Sequence, residues 1–306
     1  MSTKIVFYEY GEPDVLRLVE FSEPEAAAGQ VRVQIRAAGV NPVDCKIRRG
    51  AFSGLGGEPD IFPQTLGNEF AGVVDQVGED VVGVSVGDEV FGFANAEAYG
   101  KHLLVTPEQF TAKPAELSWE TAGSLSAVGQ TAWNALRELQ VCAGDTLLVH
   151  AAAGGVGTVA VQLAVASGVH VIGTASQRNH DYLRSLGAYP VEYGDGLTDR
   201  VRELAPSGVD ATLDAIGGAA IAASLELVSD RERIGTLVDQ DAANRFGIKR
   251  LRGTRSSAIL AELAAQCAAG NLKLPISKAF SLKDAADAHR EVETGHVRGK
   301  VTLVVD

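Results

Sequence analysis

A short apolar run, Leu147-Leu148-Val149, ends in small residues and then in Gly154, Gly155 and Gly157; an amphipathic pattern follows from Thr158 to Ala166. Strand, glycine turn and helix is the layout that sets a pyrophosphate on a helix N-terminus, where unpaired amides and the helix dipole meet negative charge. The spacing departs from G-x-G-x-x-G at its first place, where Ala152 stands; Gly154 and Gly157 hold the second and third. The second glycine lets backbone approach phosphate, and the third lets helix and strand pack closely. Ala153, Gly154, Gly155, Val156 and Gly157 are therefore the expected dinucleotide cradle, and a dinucleotide implies redox chemistry. A small-residue turn made for packing alone is the alternative.

The choice of cofactor is read at the end of the next strand. NAD sites place Asp or Glu there, about 20 residues past the glycines, to bind the ribose 2′-hydroxyl. Here the chain runs Ala175-Ser176-Gln177-Arg178, with no acid. A hydroxyl plus a guanidinium attracts a 2′-phosphate that a carboxylate would repel. NADPH is the expected cofactor, with Ser176 and Arg178 at the phosphate. The alternative is that Ser176 caps the following helix and Arg178 is solvated.

These residues need a scaffold, and the chain alternates as one requires. Strands are expected at His170–Ala175, Tyr189–Tyr193, Val209–Ile216, Arg233–Val238 and Ile248–Arg252. Helices are expected at Gln177–Leu186, Leu197–Leu204, Ala219–Val228 and Ala258–Ala269. Such alternation predicts a doubly wound parallel sheet of Rossmann type. The first ~120 residues differ, with short alternating runs such as Val31–Arg36, Ala71–Val77, Glu89–Phe93 and His102–Val105 punctuated by glycine; that pattern suggests a β-barrel-like domain. Trp119–Leu139 is helical, and the tail from Leu274 holds a helix, Leu282–Val292, and a last strand, Val301–Val305. The tail is expected to rejoin the first domain, giving residues 1–122 with 274–306 as one domain and 123–273 as the nucleotide domain.

Composition bounds the function. The 306 residues are 46% hydrophobic and 22% charged, the balance of an ordinary globular protein, and the length suits about two domains. A net charge of −12 disfavours nucleic acid and anionic membrane as partners. The N-terminus MSTKIVFYEYG has no apolar core of a signal peptide, and no run is long enough to span a bilayer. Cys45, Cys142 and Cys267 are scattered, which suggests neither a disulfide framework nor a cysteine zinc site, and a reducing cytoplasm is expected.

A small β-domain, an inserted nucleotide domain and a returning tail together resemble the medium-chain dehydrogenases/reductases. Ala38–Asp44 (AGVNPVD), Leu66–Gly72 (LGNEFAG), Ala152–Gly157 and Arg298-Gly299-Lys300-Val301 resemble the quinone oxidoreductase (zeta-crystallin-like) family over essentially the whole chain. The segment Asp44–Arg48 is similar to the branch that carries Lys in this loop. The resemblance implies a GroES-like β-barrel beside a Rossmann domain, and NADPH-dependent reduction of quinones or α,β-unsaturated carbonyls by a homodimer. Zinc-dependent relatives place Cys where this chain has Asn41 and His where it has Asn68. A catalytic zinc needs three N, S or O protein ligands, so the metal site is not built as in those relatives. Glu69, shared with the zinc enzymes, is expected to be structural and paired with a basic residue. Without a metal, hydride addition to a conjugated acceptor still needs a donor for the developing oxyanion and a proton source.

The resemblance also names residues. Asn41 is a candidate for the nicotinamide ribose or the substrate carbonyl, or a turn former before Pro42. Lys46 is a candidate oxyanion donor or proton relay, or a solvated lysine; Asp44 is expected to fix the loop. Thr131 matches a position near the nicotinamide, and Tyr193 one against the 2′-phosphate. Ile216, Leu237, Leu251 and Gly253 match positions lining the cofactor crevice, with core packing as the alternative. His296, Val297 and Arg298 form a loop that crosses to the cofactor in similar reductases, or a basic surface turn. Phe52–Phe62 is expected to overhang the site. Two other functions stay open: an enoyl reductase acting on a larger pathway substrate, and a noncatalytic NADPH-binding sensor or scaffold.

Overall fold

The computed structural model describes residues 1–54 and 60–305. The chain begins with β1 (Ser2–Phe7), β2 (Arg17–Phe21), β3 (Val31–Val40), α1 (Pro42–Arg48) and β4 (Gln64–Thr65), then β5 (Glu69–Val77), β6 (Glu89–Phe93), β7 (His102–Val105) and β8 (Phe110–Ala112). After α2 (Trp119–Glu138) come β9 (Thr146–Val149), α3 (Gly155–Ala166), β10 (His170–Thr174), α4 (His180–Ser185), β11 (Tyr189–Val191), α5 (Leu197–Leu204) and β12 (Ala211–Asp214). Then follow α6 (Ala219–Leu227), β13 (Ile234–Thr236), α7 (Gln240–Phe246), β14 (Lys249–Arg250), α8 (Ser257–Ala268), β15 (Ile276–Ser281), α9 (Ala285–Glu293) and β16 (Lys300–Val304). Two compact units result: Met1–Ala127 with Arg255–Gly270 and Leu274–Asp306, and Val128–Thr254 with Asn271–Lys273; the division falls within α2. Among the described residues no helix is long and apolar enough to cross a membrane.

In the first unit a sheet runs β15-β16-β3-β5-β6-β8, with β7 also paired to β3, beside a three-stranded sheet β2-β1-β4. The alternation of β3 is visible in its burial: Val31, Val33 and Ile35 lie in the core and the residues between them are half-buried. Near its end β3 becomes buried on both faces, and this delivers Asn41 into the interior. Strand β16 pairs antiparallel with β3, setting Val301 opposite Val40. The helix α8, expected with the nucleotide domain, groups with this unit.

In the second unit the sheet order is β11-β10-β9-β12-β13-β14, all parallel. Renumbered from β9, that is 3-2-1-4-5-6, the doubly wound order of dinucleotide-binding sheets. Gln162 explains why residues 271–273 belong here, since its side chain donates to the Lys273 carbonyl and accepts from the Lys273 amide, each at 2.8 Å.

Several expected boundaries move. The helix after the glycine turn starts at Gly155 rather than Thr158, because a first turn needs no intrahelical acceptor and tolerates glycine. The expected helix Gln177–Leu186 opens as a 3-10 turn, Gln177–Asn179, before α4; Leu282–Asp284 likewise precedes α9. The third strand stops at Val191, so Tyr193 lies beyond it. The fourth stops at Asp214, the fifth at Thr236 and the sixth at Arg250, so Ile216, Leu237 and Leu251 all lie in loops past strand ends. Each strand ends where its ladder loses its partner, which composition does not mark. Of the Phe52–Phe62 segment, residues 55–59 lie outside the described residues.

Candidate functional site

In the nucleotide unit the parallel register brings the candidate residues to one edge. Val149 stands opposite Gly173 and Leu213, Thr174 opposite Val191, Asp214 opposite Thr236, and Thr236 opposite Arg250. The glycine turn, Ser176, Tyr193, Ile216, Leu237 and Leu251 therefore all follow the carboxyl ends of neighbouring strands, where open α/β sheets bind ligands.

The turn itself is tightly drawn. Ala151 has φ +55, an uncommon conformation for a residue with a side chain. Its amide donates to Thr174 Oγ1 at 3.2 Å, and the Ala152 amide to the Thr174 carbonyl at 3.0 Å, tying the turn to β10. The helical ladder starts with the Thr158 amide on the Gly154 carbonyl at 2.8 Å. The amides of Gly155, Val156 and Gly157 have no acceptor inside α3, the condition that suits a helix N-terminus to an anion. Gly157 is demanded by packing: an added Cβ would lie 2.5 Å from the Ala151 carbonyl oxygen and 2.6 Å from Ala152 Cα. Gly154 is not, since its φ is −73 and an added Cβ would meet only the Ala151 oxygen, at 3.3 Å.

Ser176 is half-buried at the start of the 3-10 turn, makes no side-chain cap, and accepts from Asn179 Nδ2 at 3.4 Å. Arg178 is exposed in the same turn, and Tyr193 is 56% exposed beside it, one strand over. No acidic residue lies between Ala175 and His180.

Asp214 is a residue that sequence reasoning missed. Buried at the end of β12, it accepts from the amides of Ile216 at 3.0 Å and Gly217 at 2.9 Å, and from Thr236 Oγ1 at 2.6 Å. Thr236 Oγ1 in turn accepts from the amides of Val238 and Asp239, at 3.2 Å each. One carboxylate thus shapes the loops that carry Ile216 and Leu237; an acid before Gly217-Gly218 was the available signal. Ile216 is 65% exposed, which removes core packing as its role. Leu251, by contrast, is a core side chain against Gly235, with its amide on the Thr236 carbonyl and its carbonyl accepting from Arg250. Gly253 has φ +63 and donates to Glu138 Oε1 at 2.9 Å; it lies against Asn134, one helical turn from Thr131 on α2. His150 is structural: buried and bonded to Ser224, with its pKa lowered to about 4 by burial.

In the first unit Asn41 begins a buried polar network. Lys300 Nζ donates to the Val40 carbonyl at 3.0 Å, to Asn41 Oδ1 at 2.6 Å and to Glu69 Oε1 at 2.9 Å. Asn41 Nδ2 donates to the same Glu69 oxygen at 2.9 Å, and the Ala127 amide donates to Glu69 Oε2 at 2.7 Å. Lys300 is therefore the basic partner expected for Glu69. Gly39 makes the room, since a Cβ there would run into the Glu69 carboxylate. Asp44, expected to fix the loop, accepts from the Asn41 and Gly67 amides, Asn68 Nδ2 and Tyr99 Oη. Burial pushes its pKa up, and those donors oppose the rise. Asn68 Oδ1 accepts from Arg255 at 3.2 Å.

Lys46 stands apart, exposed on α1 while Asn41, Asp44 and Cys45 are buried. His296 and Arg298 are exposed in the loop between α9 and β16, and Val297 packs partly on the core. The donor set does not fit zinc. Asn41 and Asn68 are neutral amides, both Glu69 oxygens are engaged, and an ammonium sits against them. Among the described residues no group of three His, Cys, Asp or Glu side chains could hold a metal ion.

Comparison with known proteins agrees with this architecture. Residues 27–110 match the family described as alcohol dehydrogenase GroES-like domain, and residues 186–303 the family described as zinc-binding dehydrogenase. A quinone oxidoreductase of Salmonella typhimurium is 31% identical over 334 residues, covering 99% of this chain and 100% of that one. The crystal structure of Escherichia coli quinone oxidoreductase complexed with NADPH superposes with a TM-score of 0.87 at 28% identity, covering 99% of both chains. The CurK enoyl reductase gives 0.89 at 26% identity, covering 100% of this chain and 99% of that one. A GroES-like β-unit, a 3-2-1-4-5-6 parallel sheet and 31% identity over the full length of a quinone oxidoreductase place the chain in the quinone oxidoreductase family of the medium-chain dehydrogenases/reductases.

Proposed function

We propose that this protein is an NADPH-dependent reductase of quinones or α,β-unsaturated carbonyls that works without zinc. The observation that carries the proposal is the edge of the parallel sheet, where the α3 N-terminus offers its first amides and the end of β10 offers Ser176 and Arg178 with no acid. When bound, the reduced nicotinamide supplies the hydride. The amides of Gly155–Gly157 hold the pyrophosphate, and Gly154 leaves space for its approach. Ser176, Arg178 and Tyr193 hold the 2′-phosphate. Within the nucleotide unit, Thr131, Ile216, Leu237 and Gly253 bound the rest of the cofactor. Asn41 is held by Glu69 and Lys300; its second Nδ2 hydrogen has only a long 3.5 Å contact to the Gly39 carbonyl and exchanges that contact for the substrate carbonyl, where negative charge develops. Lys46 is exposed and free to reach solvent-borne protons. The protein acts as a cytoplasmic homodimer.

The test is steady-state NADPH oxidation with an ortho-quinone, a para-quinone and an alkenone, with NADH as the control and with and without chelator. Turnover with NADPH well above NADH, undiminished by chelator, is expected. Equal use of NADH, or loss of activity on chelation, refutes the proposal. The likeness to the CurK enoyl reductase favours a second reading, an enoyl reductase acting on a larger substrate. NADPH binding with turnover of an enoyl thioester and none of the quinones would select it.

A further inference from the structure

Lys300 is 3% exposed, yet its ammonium is not short of partners: each of its three protons meets an oxygen, on Val40, Asn41 and Glu69. Its place is set by topology. β16 begins at Lys300 and pairs with the end of β3, which puts the side chain beside Val40 and Asn41. Gly299, at φ +70, turns the chain into β16 where a Cβ would strike the Pro275 carbonyl.

Asn41 is gripped from two sides by opposite charges. Its oxygen faces the ammonium and its nitrogen faces the carboxylate. Rotating the amide by half a turn would set NH₂ against Lys300 and oxygen against Glu69, and both contacts would become repulsive. An asparagine bonded only to hydroxyls or water, which both donate and accept, has no such preference, because its two ends are nearly the same shape. The pair therefore fixes which end of Asn41 points where, and so the direction of the second Nδ2 hydrogen, whose acceptor in the protein is the Gly39 carbonyl at a long 3.5 Å.

We propose that Lys300, together with Glu69, is a positioning residue that sets the orientation of the Asn41 carboxamide and thereby the donor presented to substrate. The catalytic half of this statement rests on the reductase reading; the orientation of Asn41 does not.

The test has one arm for each half. Asparagine-selective ¹⁵N labelling of the whole protein, with the Asn41 signal identified by its loss in Asn41→Asp, reads the amide directly. Two distinct protons are expected, the one on Glu69 shifted downfield and slow to exchange. A wild-type Asn41 amide that exchanges as fast as a surface asparagine overturns the proposal with no variant needed. The second arm is Lys300→Met/Glu69→Gln, which removes both charges and strands neither. The double variant is expected to melt cooperatively and to bind NADPH within twofold of wild type. Its slow amide proton should be lost, and kcat should fall about 10- to 100-fold with KM for NADPH unchanged. A folded double variant with wild-type kcat shows the pair to be structural only and overturns the proposal. If wild type turns over no acceptor, the reductase reading fails, and the amide signal alone decides the orientation.

Discussion

Two alanine substitutions three residues apart should fail in opposite ways. At Gly157 an added Cβ would lie 2.5, 2.6 and 2.8 Å from backbone atoms of Ala151 and Ala152, roughly 1 Å inside the 3.5–4.0 Å optimum for such contacts. Backbone cannot swing aside as a side chain can, so α3 must lift from the turn. Overpacking of this kind costs about 1–3 kcal/mol, which for a unit of this size lowers its melting temperature by roughly 3–10 °C. At Gly154 the added methyl meets one atom at 3.3 Å on a backbone of φ −73 and ψ 176, open to any residue. Losing a tolerable N-cap and stiffening the unfolded chain nearly cancel, so the net change stays within about 1 kcal/mol. The cost at Gly154 falls on the ligand. A methyl that holds the pyrophosphate away from the amides loses one or two charge-assisted hydrogen bonds of about 1.5–3 kcal/mol each, or about 10- to 10,000-fold in Kd. Calorimetric melting and NADPH titration followed by nicotinamide fluorescence read the two quantities separately. Gly157→Ala should lose stability, and Gly154→Ala should lose affinity at unchanged stability. A Gly154→Ala protein that binds NADPH as wild type does would refute the assignment of this turn to the pyrophosphate.

Ser176→Asp places a carboxylate where a 2′-phosphate is proposed to bind, and the NADPH-to-NADH ratio of kcat/KM should fall at least about tenfold; an unchanged ratio would move the phosphate elsewhere. Asp44→Ala strands the Asn41 and Gly67 amides, Asn68 and Tyr99 without an acceptor. It should cost about 4 kcal/mol or more in urea unfolding, whereas a loss of activity at full stability would show Asp44 to act in the chemistry instead. His289 and His150 are held neutral by burial, with pKa values lowered from 6.5 to about 3 and about 4, and Arg48 adds to the effect at His289. Both ordinary values apply once the chain unfolds, so below pH 6.5 the unfolded state binds the extra protons. Stability is then full above pH 6.5 and declines as pH falls toward the folded values. At pH 5 the loss is about 2 kcal/mol for each histidine, and urea midpoints measured at pH 7 and pH 5 should show it. His289→Met should flatten its share of the slope, and a slope unchanged by that substitution would contradict the burial argument.

The alternation of strands and helices in the nucleotide unit was legible because its signals are local. An apolar run before Gly154, a helical period after Gly157 and an acid missing beyond Thr174 are each contained within a few neighbouring positions. Parallel register then sends every strand's end to the same edge, while the order of the strands was decided by where each crossover lands. Exposure was less legible, because it depends on where a strand stops: Ile216 escapes the core since Asp214 ends β12 two residues earlier. For the first unit the sequence supplied the participants without the partnerships. Asn41, Asp44 and Glu69 stood out in their motifs, and a basic partner for Glu69 was expected, but which base was not determined. Lys300 lies 259 residues from Asn41 and 231 from Glu69. Period two says which face a strand residue takes, and nothing in it says which distant strand will lie alongside. The pairing of β16 with β3, and of β3 with β5, settled that. It also explains why a lysine inside an apolar sheet is tolerated, since a buried ammonium persists only where tertiary structure has already assembled its acceptors.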